Sequence, residues 1–91
     1  MAYGNVTVSS SATKIVSANA SRQGLILTNN SVSTDIFIGQ DSSVTTASGL
    51  PLYANQTREK SRSGGSTLWL GDVWGICSSG TADIRYWEDV R

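Results

Sequence analysis

The stretch GDVWGICSSGTADIRYW, residues 71–87, decides the fold. Gly71-Asp72 is a tight-turn signal, and the runs 73–77 and 82–87 alternate as β-strands do. Period two places Ala82, Ile84 and Tyr86 on one face of the second run, and Asp83, Arg85 and Trp87 on the other. The polar link 78–81 then predicts that the two runs form a β-hairpin, across which Trp74 and Trp87 pair.

Similar short segments recur upstream of this stretch. The run 24–28, Gly-Leu-Ile-Leu-Thr, is continuously apolar, as is typical of a strand covered on both faces. Pro51 restricts its own segment, 49–52, to a sheet edge. The other segments that read as strands are 5–9, 13–17, 34–38, 56–61 and 67–70. About eight short strands, with turn signals roughly every 8–12 residues, predict a small all-β fold, an antiparallel β-sandwich, and leave a jelly-roll arrangement open.

The length of 91 residues allows one domain, residues 1–91. Residues 1–9 are predicted to be an extended N-terminal strand or arm. A domain of this size gains little stability from its core, and Cys77, the single cysteine, cannot form an intrachain disulfide. Partner subunits are therefore an expected source of further stability.

The composition argues against several classes of function. Seven acidic residues balance seven basic ones, so there is no overall positive field to attract nucleic acid. No apolar stretch approaches the roughly 20 residues of a membrane helix, and the first residues do not resemble a signal peptide. Histidine is absent, and the carboxylates are scattered. We therefore expect no enzyme, no cofactor and no metal site, with Cys77 a buried, inert thiol.

Two groups of residues are candidates for an interaction surface. Arg58, Lys60 and Arg62 share one face of an extended segment, where they either meet an acidic partner or protect an edge strand from aggregation. Trp69, Trp74 and Trp87 are numerous for this length and belong either to the core or to a binding surface. The alternating pair Val6 and Val8 completes the candidate interface, as part of the N-terminal segment.

Several segments resemble those of short structural proteins of tailed bacteriophages. They are LILTNNS (25–31), DIFIG (35–39), SVTTASGLPL (43–52) and WGICSSGTADIR (74–85). The resemblance extends from about residue 15 to residue 87. It implies a small β-sandwich that decorates, or cements, a phage capsid, commonly as a homotrimer, while related proteins are placed at necks, fibres or tails.

The resemblance implies that the chain is made in the host cytoplasm and ends on the capsid surface of the virion. Its partners would be copies of itself and the major capsid protein, and it would stabilise the capsid by bridging capsid subunits. The alternative is a carbohydrate-binding module or a fibre or tail adhesin that recognises a bacterial surface glycan. That function requires two or three tryptophans exposed on one face beside polar groups.

Overall fold

The computed structural model describes residues 2–61 and 68–90. These residues contain no helix and form two antiparallel sheets, which confirms the predicted all-β sandwich. The strands are β1 (Ala2–Val8), β2 (Thr13–Val16), β3 (Arg22–Asn29), β4 (Ile36–Gly39), β5 (Leu50–Leu52), β6 (Thr57–Ser61), β7 (Val73–Cys77) and β8 (Ala82–Val90).

Each sheet has four strands. The first sheet has the order β1-β8-β3-β6 and the second the order β2-β7-β4-β5. Only β4 and β5 are neighbours both in sequence and in a sheet, so every other connection between these strands crosses from one sheet to the other. This order is compatible with a jelly-roll arrangement.

The predicted hairpin between the runs 73–77 and 82–87 is wrong. Both runs are strands, but β7 pairs with β2 and β4 while β8 pairs with β1 and β3. The link 78–81, in which Gly80 adopts a φ of 67°, crosses between the sheets instead of reversing within one. Cys77 and Ile84 both belong to the buried core cluster, to which they contribute from opposite sheets, and the alternation of each strand does not state which strand is its partner. Trp74 and Trp87 therefore lie on opposite sheets and do not pair.

The segments around Pro51 and Leu68 differ in outcome. Pro51 lies on β5, an edge strand, as predicted. Leu68 to Leu70 are not in a strand, although the sequence in 67–70 predicted one; residue 67 lies outside the described residues. The Trp69 carbonyl oxygen accepts instead from the buried Arg22 side chain, and the Leu70 carbonyl oxygen accepts from the Asn19 backbone N–H.

The core lies between the inward faces of the two sheets. On β7 the burial alternates, with Val73, Gly75 and Cys77 buried, because successive residues of a strand point to opposite faces. Gly75 allows a close approach between strands, since a Cβ there would lie 2.8 Å from the end of the Ile15 side chain, which would have to shift. The buried cluster comprises Val8, Ile15, Val16, Leu25, Leu27, Ile36, Leu52, Leu68, Val73, Cys77, Ala82 and Ile84.

Strand β3 is central in its sheet, but only one of its faces is covered. Leu25 and Leu27 are buried in the core, whereas Ile26, between them, is half-buried on the outer face. The prediction that this run is covered on both faces therefore fails for the described chain. The outward Ile26 therefore contributes to the outer surface of the first sheet.

A buried arginine closes one end of the sandwich. Arg22 is 0 % exposed, and its Nε donates to Glu88 on the neighbouring strand β8 at 2.6 Å. Its Nη1 donates to the carbonyl oxygens of Trp69 (2.7 Å) and Gly71 (3.1 Å), and its Nη2 donates to that of Ser17 (2.8 Å). The guanidinium group therefore ties the 17–21 and 68–72 loops to the first sheet, and each of its three nitrogens has a partner.

A buried asparagine has a matching role at the opposite end of β3. Asn29 is 0 % exposed, and its Nδ2 donates to the carbonyl oxygens of Thr34 (2.8 Å) and Leu52 (2.9 Å). Its Oδ1 accepts from the Ser31 backbone N–H at 3.1 Å, in the manner of an Asx turn. Because Leu52 lies on β5 of the other sheet, this side chain links the two sheets.

The Arg22–Glu88 pair yields a stability prediction. We expect Glu88→Gln to lower the free energy of unfolding by about 3 kcal/mol, because it leaves a buried guanidinium charge without its counter-charge. The control is Arg85→Gln, which removes the exposed pair Arg85–Asp83 (3.1 Å) and should cost less than about 1 kcal/mol. Urea denaturation followed by tryptophan fluorescence measures both, and equal losses would contradict the prediction.

Candidate functional site

An exposed aromatic pair marks the outer face of the first sheet. Tyr3 on β1 lies opposite Trp87 on β8, and Trp87 in turn lies opposite Ile26 on β3. The two rings have centroids 6.2 Å apart and planes at 32°, while 77 % of Tyr3 and 48 % of Trp87 remain exposed. Because outward residues of neighbouring strands align in rows, the three side chains form one continuous apolar strip. We call Tyr3, Trp87 and Ile26 the aromatic face.

Polar groups border the aromatic face. The indole Nε1 of Trp87 donates to Asp89 Oδ1 at 3.0 Å. Further along the same face of β8, Asp83 accepts from Arg85 Nε (3.1 Å) and, at 3.4 Å each, from the side-chain amides of Asn5 and Asn30. Partial burial acts to raise the pKa of Asp83, but these hydrogen bonds and the Arg85 charge outweigh it and hold the pKa below its usual value. The Asp83 carboxylate therefore stays negatively charged and is held in a fixed position by its three hydrogen-bond donors.

Two of the three predicted basic residues, Arg58 and Lys60, lie on β6, an edge strand of the first sheet. Arg58 is in register with Leu27 and therefore belongs to the inward row of that sheet. Arg58 Nη2 donates to the Pro51 carbonyl oxygen on β5 at 2.9 Å. Its guanidinium group therefore connects the two edge strands on this side; Arg62 lies outside the described residues.

An open groove lies beside this row, between β3 and β6 on one side and β4 and β5 on the other. Its volume is about 530 Å³, and its walls are mainly apolar. Leu50, although on a row that points inward, is 63 % exposed because it lies at this opening. Other lining residues include Leu25, Leu27, Ile38, Leu68 and Trp69.

The three tryptophans occupy three different places. Trp87 is on the aromatic face, and Trp74 is half-buried on the outer face of the second sheet, where the Lys14 ammonium lies 5.8 Å from its ring centroid. Trp69 borders the groove and donates its Nε1 to the Asp72 carbonyl oxygen at 2.7 Å. The structure therefore does not bring two or three tryptophans together on one face.

The two valines of the candidate interface belong to the core. Val8 is 0 % exposed, and Val6 is partly buried and packs against the core cluster. Their shared face was read correctly from the alternation, but it is the inward face. The outward face of β1 carries Tyr3, Asn5 and Thr7 instead, because these residues have the opposite parity.

The sequence analysis missed Arg22, Glu88 and Asn29, which are the buried polar and charged residues of the described chain. A signal for Glu88 was present, since the row Ala82, Ile84, Tyr86 continues by period two to residue 88 and so places that carboxylate inward. A buried carboxylate needs a cationic partner. Nothing in the local sequence selects Arg22 over the other basic residues.

Comparisons with protein-family models, with curated proteins and with solved structures found no match to this chain. In residues 2–61 and 68–90, no group of three or more His, Cys, Asp and Glu side chains is placed to hold a metal ion. The same residues include no helix that is long and apolar enough to cross a membrane.

Cys77 supports a prediction about thiol chemistry. It is 1 % exposed, its Sγ donates to the Val8 carbonyl oxygen at 3.3 Å, and burial raises the pKa of its thiol. We expect a thiol reagent such as Ellman's reagent to label no cysteine in the folded protein and one per chain in guanidinium chloride, since only an accessible thiolate reacts.

The same raised pKa predicts a pH dependence of stability. The free energy that the protonated Cys77 thiol contributes is complete below the ordinary pKa of 9.0 and is lost as the pH rises through the higher folded-state pKa. The control is Cys77→Ala, whose unfolding free energy should lose this alkaline component. Rapid labelling of the folded protein at neutral pH would contradict both expectations.

Proposed function

We propose that this chain is a non-catalytic structural protein of a bacteriophage virion that decorates and stabilises the capsid. The proposal is supported by the resemblance to short phage structural proteins and by one structural observation, the aromatic face. Most of the Tyr3 side chain and about half of the Trp87 side chain are exposed to solvent and are not used by the domain's own core. Such residues are enriched in protein interfaces and supply much of their binding energy.

The mechanism we propose is bridging. A domain that contacts two or more capsid subunits at once adds their contacts together, so that removing any subunit requires several interactions to break. The aromatic face supplies an apolar centre for such a contact, and Asp89, Asp83 and Arg85 supply a polar border. This arrangement of an apolar centre with a polar rim is the usual anatomy of a specific interface.

The oligomer that we propose for the capsid-bound protein is a homotrimer, as the resemblance implies. Three copies on one site would multiply the contacts with the major capsid protein without increasing the size of the domain. The place of action is then the outer surface of the capsid, after synthesis in the host cytoplasm.

A test of this proposal compares two exposed aromatic residues. Tyr3 is on the aromatic face, whereas Tyr53, 54 % exposed, lies in the link between β5 and β6. We expect Tyr3→Ala and Trp87→Ala each to weaken capsid binding by at least about tenfold, because a central aromatic contributes more than 1.4 kcal/mol. Tyr53→Ala should bind as the wild type does.

The measurement is co-sedimentation with capsids assembled from the major capsid protein of the phage that encodes the chain. The same samples should show that wild-type protein raises the temperature at which the capsids dissociate. Thermal melting of each variant separates lost binding from lost folding. Failure of the wild-type protein to bind these capsids would reject the decoration function.

One observation favours the alternative, a glycan-binding module or adhesin. Trp87 has Asp89 bonded to its indole and Arg85 nearby, and an exposed ring beside polar groups suits a sugar ring. Against it, Trp69 and Trp74 lie elsewhere, so one tryptophan and one tyrosine would form the whole platform. Quenching of Trp87 fluorescence by host surface glycans, abolished in Trp87→Ala, would support the adhesin over the capsid protein.

A further inference from the structure

The four edge strands of the sandwich differ in how they are protected. An exposed edge presents unpaired backbone N–H and C=O groups to any other strand, and proteins block such edges with charges, proline, bulges or shortness. The edges here are β1 and β6 in the first sheet and β2 and β5 in the second.

Three of the edges carry them. Strand β6 has the sequence Thr-Arg-Glu-Lys-Ser, with three consecutive charged residues. Strand β5 has three residues, one of which is Pro51. Strand β2 has four residues, including Lys14, and its register is interrupted between Lys14 and Val16. These features disfavour pairing with a further strand.

Strand β1 carries none of them. Its seven residues, Ala-Tyr-Gly-Asn-Val-Thr-Val, include no charge and no proline, and its register with β8 is continuous from residue 2 to residue 8. Among the described residues, none forms a backbone hydrogen bond to the side of residues 2–7 that faces away from β8. The unprotected edge is thus also the longest of the four.

We propose that β1 pairs in an antiparallel manner with β1 of a second copy of this chain. A two-fold pair of this kind uses the same surface on both subunits. One unprotected edge strand per chain is therefore enough, because each β1 supplies the backbone donors and acceptors that the other β1 lacks. The pairing would join the two first sheets into one sheet of eight strands.

The full overlap of residues 2–8 fixes the register. In an antiparallel pair in which residue 2 lies opposite residue 8, Asn5 lies opposite Asn5 of the partner subunit at the two-fold axis. Tyr3 then lies opposite the partner subunit's Thr7, on the outer face, and Val6 lies opposite the partner subunit's Gly4, on the inner face. Inward residues therefore meet inward residues, as a continuous sheet requires.

This pair is a form of the free protein and goes beyond the proposed function. One strand pair buries less area than the roughly 1,200 Å² of a standard interface, so we expect reversible association at concentrations of roughly micromolar or above. A three-fold arrangement on a capsid would require β1 to exchange this partner for another strand.

The test uses charge complementation at the axis. Asn5→Lys and Asn5→Asp each place like charges directly opposite one another across the two-fold axis, which disfavours pairing. An equimolar mixture of the two variants places Lys opposite Asp and should restore it. The matched control is Thr57→Lys, which adds a charge to the outer row of the already protected β6.

Light scattering after size-exclusion chromatography measures the mass against a chain mass of 9.6 kDa. We expect two chains for the wild type, for Thr57→Lys and for the mixture, and one chain for each Asn5 variant alone. A wild-type mass of one chain or of three chains overturns the pairing, as does an Asn5→Lys variant with the wild-type mass. A mixture that stays monomeric overturns the register.

A second measurement keeps the proposal testable if an Asn5 variant does not fold. Hydrogen exchange of the wild-type β1 amides should slow as the protein concentration rises, while exchange in β6 stays constant. Concentration-independent exchange in β1 overturns the pairing. Capsid binding takes no part in either measurement, so this inference and the decoration function succeed or fail separately.

Discussion

The burial of one arginine constrains the rest of the molecule. Arg22 stands at the start of β3, and its guanidinium group is withdrawn from water, which is costly unless every donor finds an acceptor. The acceptors are Glu88 and carbonyl groups of two loops, 17–21 and 68–72, that are distant from each other in the sequence. Those loops must therefore close over the end of the sandwich before the charge is satisfied. In a domain with no intrachain disulfide, this network fixes two loops to the end of the first sheet.

The core and the charge network depend on each other. The loop that contributes the Trp69 and Gly71 carbonyl oxygens also contributes Leu68 to the apolar cluster. Asn29, at the other end of β3, repeats the principle with a neutral side chain and joins the two sheets through Leu52. A central strand held at both ends by buried polar side chains keeps one register, because a slip of one residue would move Arg22 and Asn29 to the outer face.

Local alternation was sufficient to predict most of the strands and several faces, but not their partners, and it also predicted a strand at 67–70, of which residues 68–70 are not in a strand. The parity of β8 correctly separated the Ile84 face from the Trp87 face, since period two is a property of the strand alone. Pairing is not local: β1 and β8 lie at opposite ends of the chain, and no spacing rule connects Tyr3 with Trp87. For Val6 and Val8 the alternation correctly gave a shared face, and the structure shows that this face is directed to the core, which alternation alone does not state. Arg22 was missed because its acceptors are assembled only by the complete fold.

The winding of the strands has a consequence for synthesis. In the first sheet, residue 2 is in register with residue 88, and β3 takes β8 as its neighbour. A nascent chain cannot complete this sheet on the ribosome until residues 82–90 have left the exit tunnel, and only β4 and β5 are available as a local hairpin. Folding of this sheet is therefore expected to be slow, as is usual where contacts join distant residues. During that interval β1 has no partner strand and β3 can pair only with β6, so the edge of β3 that β8 later covers stays open. That open edge makes the newborn chain a better substrate for chaperones than the finished one.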